Sequence, residues 1–421
     1  MLLLVVDPAL RSANNGFVLI SAALVLMMTP ALALFYAGFV RSRNVLNTMV
    51  MSVAAMALVS VLWVLFGYSL AFAPGHGPLA PFLGGLQWAG LSNWSAPYGD
   101  GQLSQGAVAL FQLSFAVITP ALISGAVVER MAFRAWLAFV LLWSTFIYLP
   151  LAHMVWGPGG FLGLEGIGAL DFAGGLVVEM ASGIGAAVAA AVIGPRRNHP
   201  GHSAPPHNVP FIVLGAGLLW FGWFGFNGGS ALLAGNLASL ACLTTNTSGA
   251  AAALGWMLIE TAQRGKPTAV GVATGAVAGL VAITPAAGFV SPLGALVIGF
   301  AAAGVCNWAL QLKNRSRLDD SLDVLPVHGV AGLLGIVLTG VLALKAVNPA
   351  GADGLLAGNG VQLLIQLKAA GFTVLWVGVG SFVILKLLAL VMPLRAADSE
   401  ERQGLDISSH GEEAYNSEFT V

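Results

Sequence analysis

Runs of about 20 predominantly apolar residues recur along the whole chain, and this feature constrains the fold most. A helix of that length rises about 30 Å, which matches the hydrocarbon core of a bilayer. The chain is 57% hydrophobic and 8% charged, whereas soluble domains carry about 25% charged residues. We therefore predict an all-α polytopic membrane protein. The predicted transmembrane helices, about eleven, lie near residues 16–40, 46–72, 104–128, 135–153, 171–193, 210–230, 236–262, 267–287, 292–312, 321–344 and 361–392.

The basic residues predict the orientation of these helices. Most of the 17 Lys and Arg residues follow the odd-numbered helices, beginning with Arg41 and Arg43 after the first. On the opposite side of the membrane, the predicted loops and the N-terminal segment hold only Arg11 and Lys345. The positive-inside rule then places the N-terminus outside and the C-terminus in the cytoplasm. That topology requires an odd number of transmembrane helices, and eleven satisfies it.

The chain divides by composition into two parts. Residues 1–392 hold all the apolar runs and form the predicted transmembrane domain. Residues 393–421 are rich in acidic residues and contain no long apolar run. We predict that this segment is a solvated cytoplasmic tail, either with a regulatory role or as a simple soluble end.

Two segments that lie five predicted helices apart share one spacing. Asp171 precedes Glu179 by eight residues, and Asp320 precedes His328 by eight. Because the helices that carry them cross in opposite directions, the pattern indicates an inverted-topology repeat. The predicted repeats and the additional last helix are residues 16–193, 210–344 and 361–392.

The spacing also predicts where these polar side chains lie. An Asp at the start of a helix is a good N-cap, and eight further residues advance about 12 Å along the axis. Glu179 and His328 should therefore both lie near the midplane, where they could be neighbours. Ionisable groups at that depth are costly and by default mark a functional path. The alternative is a satisfied polar pair that only pins two helices together.

Aromatic residues cluster in FQLSFAVITP, HMVWGPGG and GWFGFNGGS, the last of which also supplies a serine hydroxyl. These residues are Phe111, Phe115, Trp156, Trp223, Phe226 and Ser230. Taken singly, each is explained by core packing or by an interfacial aromatic belt. Together they could form a cation–π cage for a small cation.

No pattern indicates catalysis, a cofactor or a metal. The sequence has no phosphate-binding loop or dinucleotide fingerprint, and Cys242 and Cys306 lie singly inside apolar runs. His199, His202 and His207 are loosely spaced in a proline-rich loop and favour metal binding only weakly. The net charge of −1 offers no basic surface for nucleic acid. We predict that the protein is not an enzyme.

The strings AHMVWG, ALDFAGG, PHNVP, GWFGFNGGS, RGKPT and DVLPVHGV resemble signatures of the ammonium transporter family (Amt/Mep/Rh) in order and spacing. The resemblance runs from ALALFYAGFVRSRNVLN to GLDISSHGEEAYN, which is nearly the whole chain. The tail and the strings GWFGFNGGS and DVLPVHGV are more similar to the Amt/Mep branch than to the Rh branch. The resemblance implies a multi-pass homotrimer in the plasma membrane, the inner membrane of a bacterium, with one pore in each subunit.

The resemblance also implies roles for individual residues. Phe115 and Trp156 would offer π faces, and Ser230 a hydroxyl acceptor, at an outer recruitment site for ammonium. Phe115 would also stack with Phe226 as a hydrophobic gate. Asp171 would be a structural acid near the pore mouth, and the cap argument supports that role without substrate contact.

Below the gate, the family usually has two facing histidines in a dry pore. His328 matches the second histidine, but Glu179 occupies the position of the first. A subset of the family, notably among fungal transporters, is similar in having an acid there. The twin-histidine mechanism therefore cannot be transferred unchanged. Phe111 and Trp223 are further candidates for the pore lining.

The expected function is ammonium transport in nitrogen uptake. NH4+ would lose its proton at the outer site, and NH3 and the proton would cross by separate routes with net charge movement. The alternatives are an ammonium sensor that also transports and an Rh-like NH3 gas channel. The implied ligands are ammonium and its analogue methylammonium. The implied partner, in organisms that have one, is a PII-type signal protein at the cytoplasmic face.

Overall fold

The computed structural model describes residues 7–197, 199 and 205–415. Each of the eleven predicted spans overlaps one long helix, which confirms the all-α polytopic fold; the number and direction of the membrane crossings stay predictions. The helices are α1 (Pro8–Phe39), α2 (Ser42–Phe72), α3 (Gln105–Val127), α4 (Phe133–Trp156), α5 (Gly175–Ile193), α6 (Val209–Gly228), α7 (Asn236–Arg264), α8 (Ala269–Ile283), α9 (Pro292–Arg315), α10 (Leu325–Leu342) and α11 (Gly360–Val391).

Five of these helices contain a wider π-helical segment, a feature that often marks functional positions. The segments are Trp63–Gly67, Ser144–Tyr148, Gly175–Met180, Phe224–Gly228 and Leu325–Val330. The remaining elements are small. A hairpin pairs β1 (Pro97–Tyr98) with β2 (Leu103–Ser104), and two short helices follow α11, namely α12 (Asp398–Gln403) and α13 (Leu405–His410).

Three helix starts differ from the predicted ones because an aspartate caps each helix from outside. The helix α1 begins two turns early, at Pro8, where the Asp7 carboxylate accepts a hydrogen bond from the Ala9 amide at 2.9 Å. A proline suits the first helical position. Conversely, α5 and α10 begin four residues late, because Asp171 and Asp320 precede the helices that they cap.

Among the helices in the described part of the chain, nine are long and apolar enough to cross a membrane by composition alone. The other two, α7 and α8, lie against each other in the bundle. The centre of α7 is polar, but its hydroxyls are satisfied, since Thr244 donates to Ala287 O and Ser248 to Gly279 O, each at 2.8 Å. The helix α8 has only 15 residues and is almost wholly buried. Because other helices shield α7 and α8, these two helices do not need a long apolar surface of their own.

The tail docks on one end of the bundle, which we call the tail face: residues 40–47, 128–133 and 194–197 with tail residues 393–415. Ala132 donates its amide to Leu394 O, and Leu405 donates its amide to the Asn44 side chain, both at 2.9 Å. Leu405 and Asp406 are each about 1% exposed. The expectation of a wholly solvated tail is therefore wrong for the described residues, because the tail buries side chains against the core.

Candidate functional site

A cavity of about 520 Å³ opens at the end of the bundle opposite the tail face. We call it the vestibule. Its lining includes the predicted residues Phe115, Trp156 and Ser230, contributed by α3, α4 and the segment after α6. Volumes of this size are typical of small-ligand sites. The vestibule can therefore hold a small hydrated solute against aromatic rings.

Two hydrogen bonds orient the polar groups of these residues. The Trp156 indole N–H donates to the Asp171 carbonyl at 3.0 Å, and the Trp156 ring meets Phe115 edge-on with centroids 6.0 Å apart. The Ser230 hydroxyl donates to Phe226 O at 2.8 Å. Because that bond uses the only hydroxyl proton, the Ser230 oxygen retains acceptor capacity for a donor in the vestibule.

The floor of the vestibule is closed by two aromatic rings. Phe115 and Phe226 have centroids 4.3 Å apart and are each about 1% exposed. Phe115 lines the vestibule, whereas Phe226 lines the next cavity down, so the two rings separate them. Phe111 packs behind Phe115 with centroids 4.9 Å apart and lines neither cavity; Trp223 lines the lower one.

Below the rings lies a cavity of only about 10 Å³, which we call the constriction. That volume holds about one water molecule. Its walls are apolar apart from Glu179 and His328. Sequence reasoning missed the contribution of α1, which supplies Met28, Leu32 and Phe35 to these walls.

The structure brings Glu179 and His328 into direct contact. His328 Nδ1 lies 2.8 Å from Glu179 Oε2, and both side chains are at most 5% exposed. The two atoms are within hydrogen-bond distance of each other. Each group is therefore satisfied in a buried setting where an unpaired charge would be very costly.

Glycines allow the helices that carry this pair to meet backbone to backbone. A Cβ atom on Gly183 of α5 would collide with the Gly329 nitrogen of α10. A Cβ atom on Gly332 would lie 2.9 Å from Glu179 Cβ. Both ionisable residues also lie inside the π-helical first turns of their helices. The contact between Glu179 and His328 thus depends on the π-helical first turns of α5 and α10 and on the glycines just beyond them.

Asp171 binds the start of α5 with both carboxylate oxygens. Oδ1 accepts from the amides of Gly174 and Gly175 at 2.8 and 2.6 Å, and Oδ2 accepts from Leu176 and Val177 at 2.8 and 3.4 Å. The residue also lines the vestibule, but these four amides occupy its acceptor positions. The geometry fits a structural acid that fixes the helix end.

Gln112 is a vestibule residue that sequence reasoning missed. It precedes Phe115 by three residues, so the two share a face of α3, and both line the cavity. Its Oε1 atom is buried and has no hydrogen-bond partner among the described residues. The helical spacing in FQLSF was the signal that could have found it.

No cluster that could hold a metal ion occurs within residues 7–197, 199 and 205–415. Of the three loosely spaced histidines, His202 lies outside the described residues. His207 Nδ1 lies 2.9 Å from Val40 O, and its Nε2 lies 2.9 Å from the Tyr415 hydroxyl. This imidazole therefore joins the tail to the core.

The vestibule, the closed rings and the narrow apolar constriction lie one below another in a bundle of long apolar helices, an arrangement typical of a membrane protein that passes a small solute. A family model described as the Ammonium Transporter Family matches residues 16–415. The chain is 48% identical over 409 residues to an ammonium transporter of Bacillus subtilis (strain 168), covering 96% of this chain and 99% of that protein. The chain belongs to the ammonium transporter family.

Solved structures agree with this assignment. The crystal structure of Saccharomyces cerevisiae Mep2 matches with a TM-score of 0.88 and 35% identity, covering 97% of this chain and 93% of that chain. A protein described as a Sensor Amt Protein matches with a TM-score of 0.87 and 26% identity, covering 96% and 99%. The chain is thus a multi-span ammonium transporter of the plasma membrane and not an enzyme.

Proposed function

We propose that the protein recruits NH4+ in the vestibule, removes its proton, and conducts NH3 and the proton through a pore in each subunit. The observation that carries this proposal is the contrast between a vestibule of about 520 Å³ and a constriction of about 10 Å³ with mainly apolar walls. Moving a bare ion into such surroundings is very costly, whereas neutral ammonia carries no charge to desolvate.

Recruitment rests on groups that favour a cation with hydrogen-bond donors. The rings of Phe115 and Trp156 offer π faces, which attract a cation within about 6 Å. The Ser230 oxygen accepts a hydrogen bond, and so can the carbonyl of Gln112. Potassium has a similar size and charge but donates no hydrogen bonds. Selection therefore depends on acceptors and on the release of a proton.

After recruitment, the gate controls the passage of ammonia and the polar pair takes part in the transfer of the proton. Phe115 and Phe226 must part transiently to admit ammonia, because their rings lie 4.3 Å apart. The proton would travel by Glu179 and His328, which lie in direct contact, or by water. Net transport would then be electrogenic. Asp171 would hold the start of α5 and take no part in substrate contact.

An acid in place of the first histidine alters the electrostatics of the constriction. An ionised Glu179 would make a negative site that draws a cation deeper into the pore. We expect a pH dependence unlike that of a pore with two histidines, and weaker discrimination against other monovalent cations.

Currents across solid-supported membranes test the proposal. Ammonium and methylammonium should give transient currents in the wild type, and potassium should give a much smaller one. Glu179→His should shift the pH profile and sharpen discrimination against potassium. Asp353→Asn is the matched control, since Asp353 caps only the Lys345 amide in an exposed loop. An unchanged pH profile and unchanged selectivity in Glu179→His would contradict the assigned role.

The same measurements separate the alternatives. An Rh-like gas channel would move ammonia into liposomes, seen as an internal pH change, without the ammonium current. A dedicated sensor, the function in the description of one structural relative, would show no uptake although the trimer is folded. Either result would overturn the electrogenic mechanism.

We also propose a homotrimer. Asn246 is exposed near the middle of α7, and a polar amide facing lipid at that depth is unfavourable. A second copy of the chain would cover it. Native mass spectrometry should show three subunits. A PII-type partner at the tail face rests on family resemblance alone, and co-purification with the PII protein of the same organism tests it.

A further inference from the structure

A third cavity, of about 290 Å³, lies on the tail face and shares no lining residue with the vestibule or the constriction. Guanidinium groups dominate it, and we call it the arginine pocket. Its lining residues are Arg41, Arg43, Asn44, Glu129, Arg196, Arg197, Glu401 and Arg402. They come from four parts of the chain: the α1–α2 junction, the α3–α4 connection, the segment after α5, and the tail.

The two acids in the pocket are already engaged. Glu401 forms a bidentate pair with Arg395, with distances of 2.5 Å to Nε and 2.9 Å to Nη2. Glu129 accepts from Arg196 Nη1 at 3.2 Å and from the Arg41 backbone amide at 2.9 Å. Neither carboxylate makes an ion pair with another arginine of the pocket among the described residues.

The remaining guanidinium groups are incompletely matched. Arg197 and Arg402 share one carboxylate, Asp398, at 2.9 and 3.5 Å. Arg43 Nη1 donates to the Arg402 carbonyl at 2.6 Å and has no carboxylate partner among the described residues. Within the same residues, the Arg41 side chain makes neither an ion pair nor a hydrogen bond. The pocket thus combines positive charge with unused donors.

We propose that the arginine pocket binds a small phosphate-bearing anion. Guanidinium groups match the geometry of phosphate oxygens and form paired, charge-assisted hydrogen bonds with them. A volume of about 290 Å³ lies at the lower end for small-molecule sites, which suits one or two phosphoryl groups. A phospholipid headgroup and a free phosphate share this chemistry, and either could supply the anion.

An anion bound in the arginine pocket would link the tail to the core of the bundle. A bound anion would contact Arg41 and Arg43 on the core together with Arg402 on the tail. It would therefore stabilise the docked position of residues 393–415. The site shares no residue with the pore, so its binding test is independent of the proposed transport mechanism.

Titration calorimetry with pyrophosphate, on the full-length protein in neutral detergent at low salt, tests the site directly. Arg41→Gln is the key variant, because its side chain has no partner to lose in the described structure. We expect about tenfold weaker binding in Arg41→Gln and no detectable binding in the Arg41→Gln, Arg43→Gln double variant. Arg264→Gln, an exposed arginine at the end of α7, should bind as the wild type does.

A second arm distinguishes the source of the anion. In nanodiscs of phosphatidylcholine, adding phosphatidylglycerol should slow tryptic cleavage at Arg402 in the wild type and in Arg264→Gln, but not in Arg41→Gln. An effect in this arm alone identifies a lipid headgroup, and an effect of pyrophosphate alone identifies a free phosphate. No effect in either arm, or equal loss in Arg264→Gln, overturns the proposal.

Discussion

Asp171 and Glu179 are buried carboxyl groups only eight residues apart, yet their surroundings differ in kind. The four backbone amides that bind Asp171 belong to one helix end, whereas Glu179 meets a single imidazole. Four amide hydrogen bonds occupy the acceptor positions of the Asp171 carboxylate and leave it little to offer a substrate. Only one Glu179 oxygen makes this contact, which leaves the carboxyl group less constrained than that of Asp171.

Asp171→Ala should therefore destabilise the fold more than an ordinary surface change. It leaves four amides at the start of α5 without their acceptor, and each buried unpaired donor costs about 1–3 kcal/mol. We expect a large drop in the yield of folded protein in size-exclusion chromatography. Asp171→Asn, which keeps one acceptor oxygen, should recover part of it. An Asp171→Ala protein as stable as Asp353→Ala would contradict this account.

The contact between Asp319 and Arg196 should make the stability of the fold at the tail face depend on pH. Arg196 binds it through Nη2 at 2.9 Å and Nε at 3.0 Å. Burial alone would raise the pKa of this carboxyl, but the hydrogen bonds and charge of Arg196, with the charge of Arg130, lower it to about 2. Because the folded pKa is below the unfolded value near 4, the stabilisation is complete above about pH 4.

That stabilisation, about 2 kcal/mol, should be lost as the pH falls from about 4 to 2. Melting temperatures of the purified protein between pH 5 and pH 2 measure it. Asp319→Asn should lower stability above pH 4 and flatten this part of the pH profile. Asp398→Asn, which breaks exposed ion pairs only, should change the profile little. An Asp319→Asn profile parallel to that of the wild type would refute the pairing argument.

At the scale of elements, the crossing of α5 and α10 forms the polar wall of the constriction. Each helix begins with a π-helical segment that carries an ionisable residue, and each places a glycine four residues later, Gly183 and Gly332. A Cβ atom on either glycine would press on the opposite helix. Small residues allow such close approach between membrane helices. The Glu179–His328 distance of 2.8 Å depends on this crossing.

Gly183→Ala should push the two helices apart, since its new Cβ atom would meet the backbone of Gly329. Overpacking of this kind costs about 1–3 kcal/mol, and we expect a reduced ammonium current in the protein that still folds. Gly304→Ala in α9 is the matched control, because nothing lies within 4 Å of its new Cβ atom. Equal currents in the two variants would show that the close crossing is not required.

The helices α7 and α8 show how neighbours change what an element needs. The polar centre of α7 satisfies its hydroxyls against α8 and the residues after it, and the 15 residues of α8 are largely shielded from lipid. Hydropathy is a property of one segment, whereas lipid exposure depends on the whole bundle. This explains why two helices of the bundle fall short of a composition test for membrane crossing.

At the scale of the whole molecule, the tail ties together loops that are distant in the chain. Its backbone and side chains contact the start of α2 and the segments after α3 and α5. Gly404 makes this possible, with φ of +110° and a position where a Cβ atom would lie 2.7 Å from Arg43 Cβ. The docked tail thus contacts several segments that join the long helices.

Gly404→Ala should release the tail, because it adds both backbone strain and a clash with Arg43. Gly411→Ala carries a similar strain, with φ of +71°, but nothing lies within 4 Å of its Cβ atom. We expect trypsin to cut at Arg402 several times faster in Gly404→Ala than in Gly411→Ala. Equal cleavage rates would indicate that the docked position contributes little.

The sequence alone determined the class of fold and the family of this protein. Apolar runs long enough to cross a bilayer, the matched spacing of Asp171 to Glu179 and Asp320 to His328, and the aromatic strings are all local or periodic signals. Such signals can be recognised in the sequence alone because bilayer thickness and helix rise determine their length and spacing. They were enough to select the residues of the vestibule floor and the polar pair.

Tertiary structure decided what depends on contacts between distant segments. The contribution of α1 to the constriction, the free acceptor of Gln112, and the docked tail have no signature in hydropathy. The same holds for the arginine pocket, whose guanidinium groups come from loops and the tail, more than 350 residues apart at the extremes. Charges and acceptors are local in sequence, but whether each finds a partner is settled only by the residues that the fold places beside it.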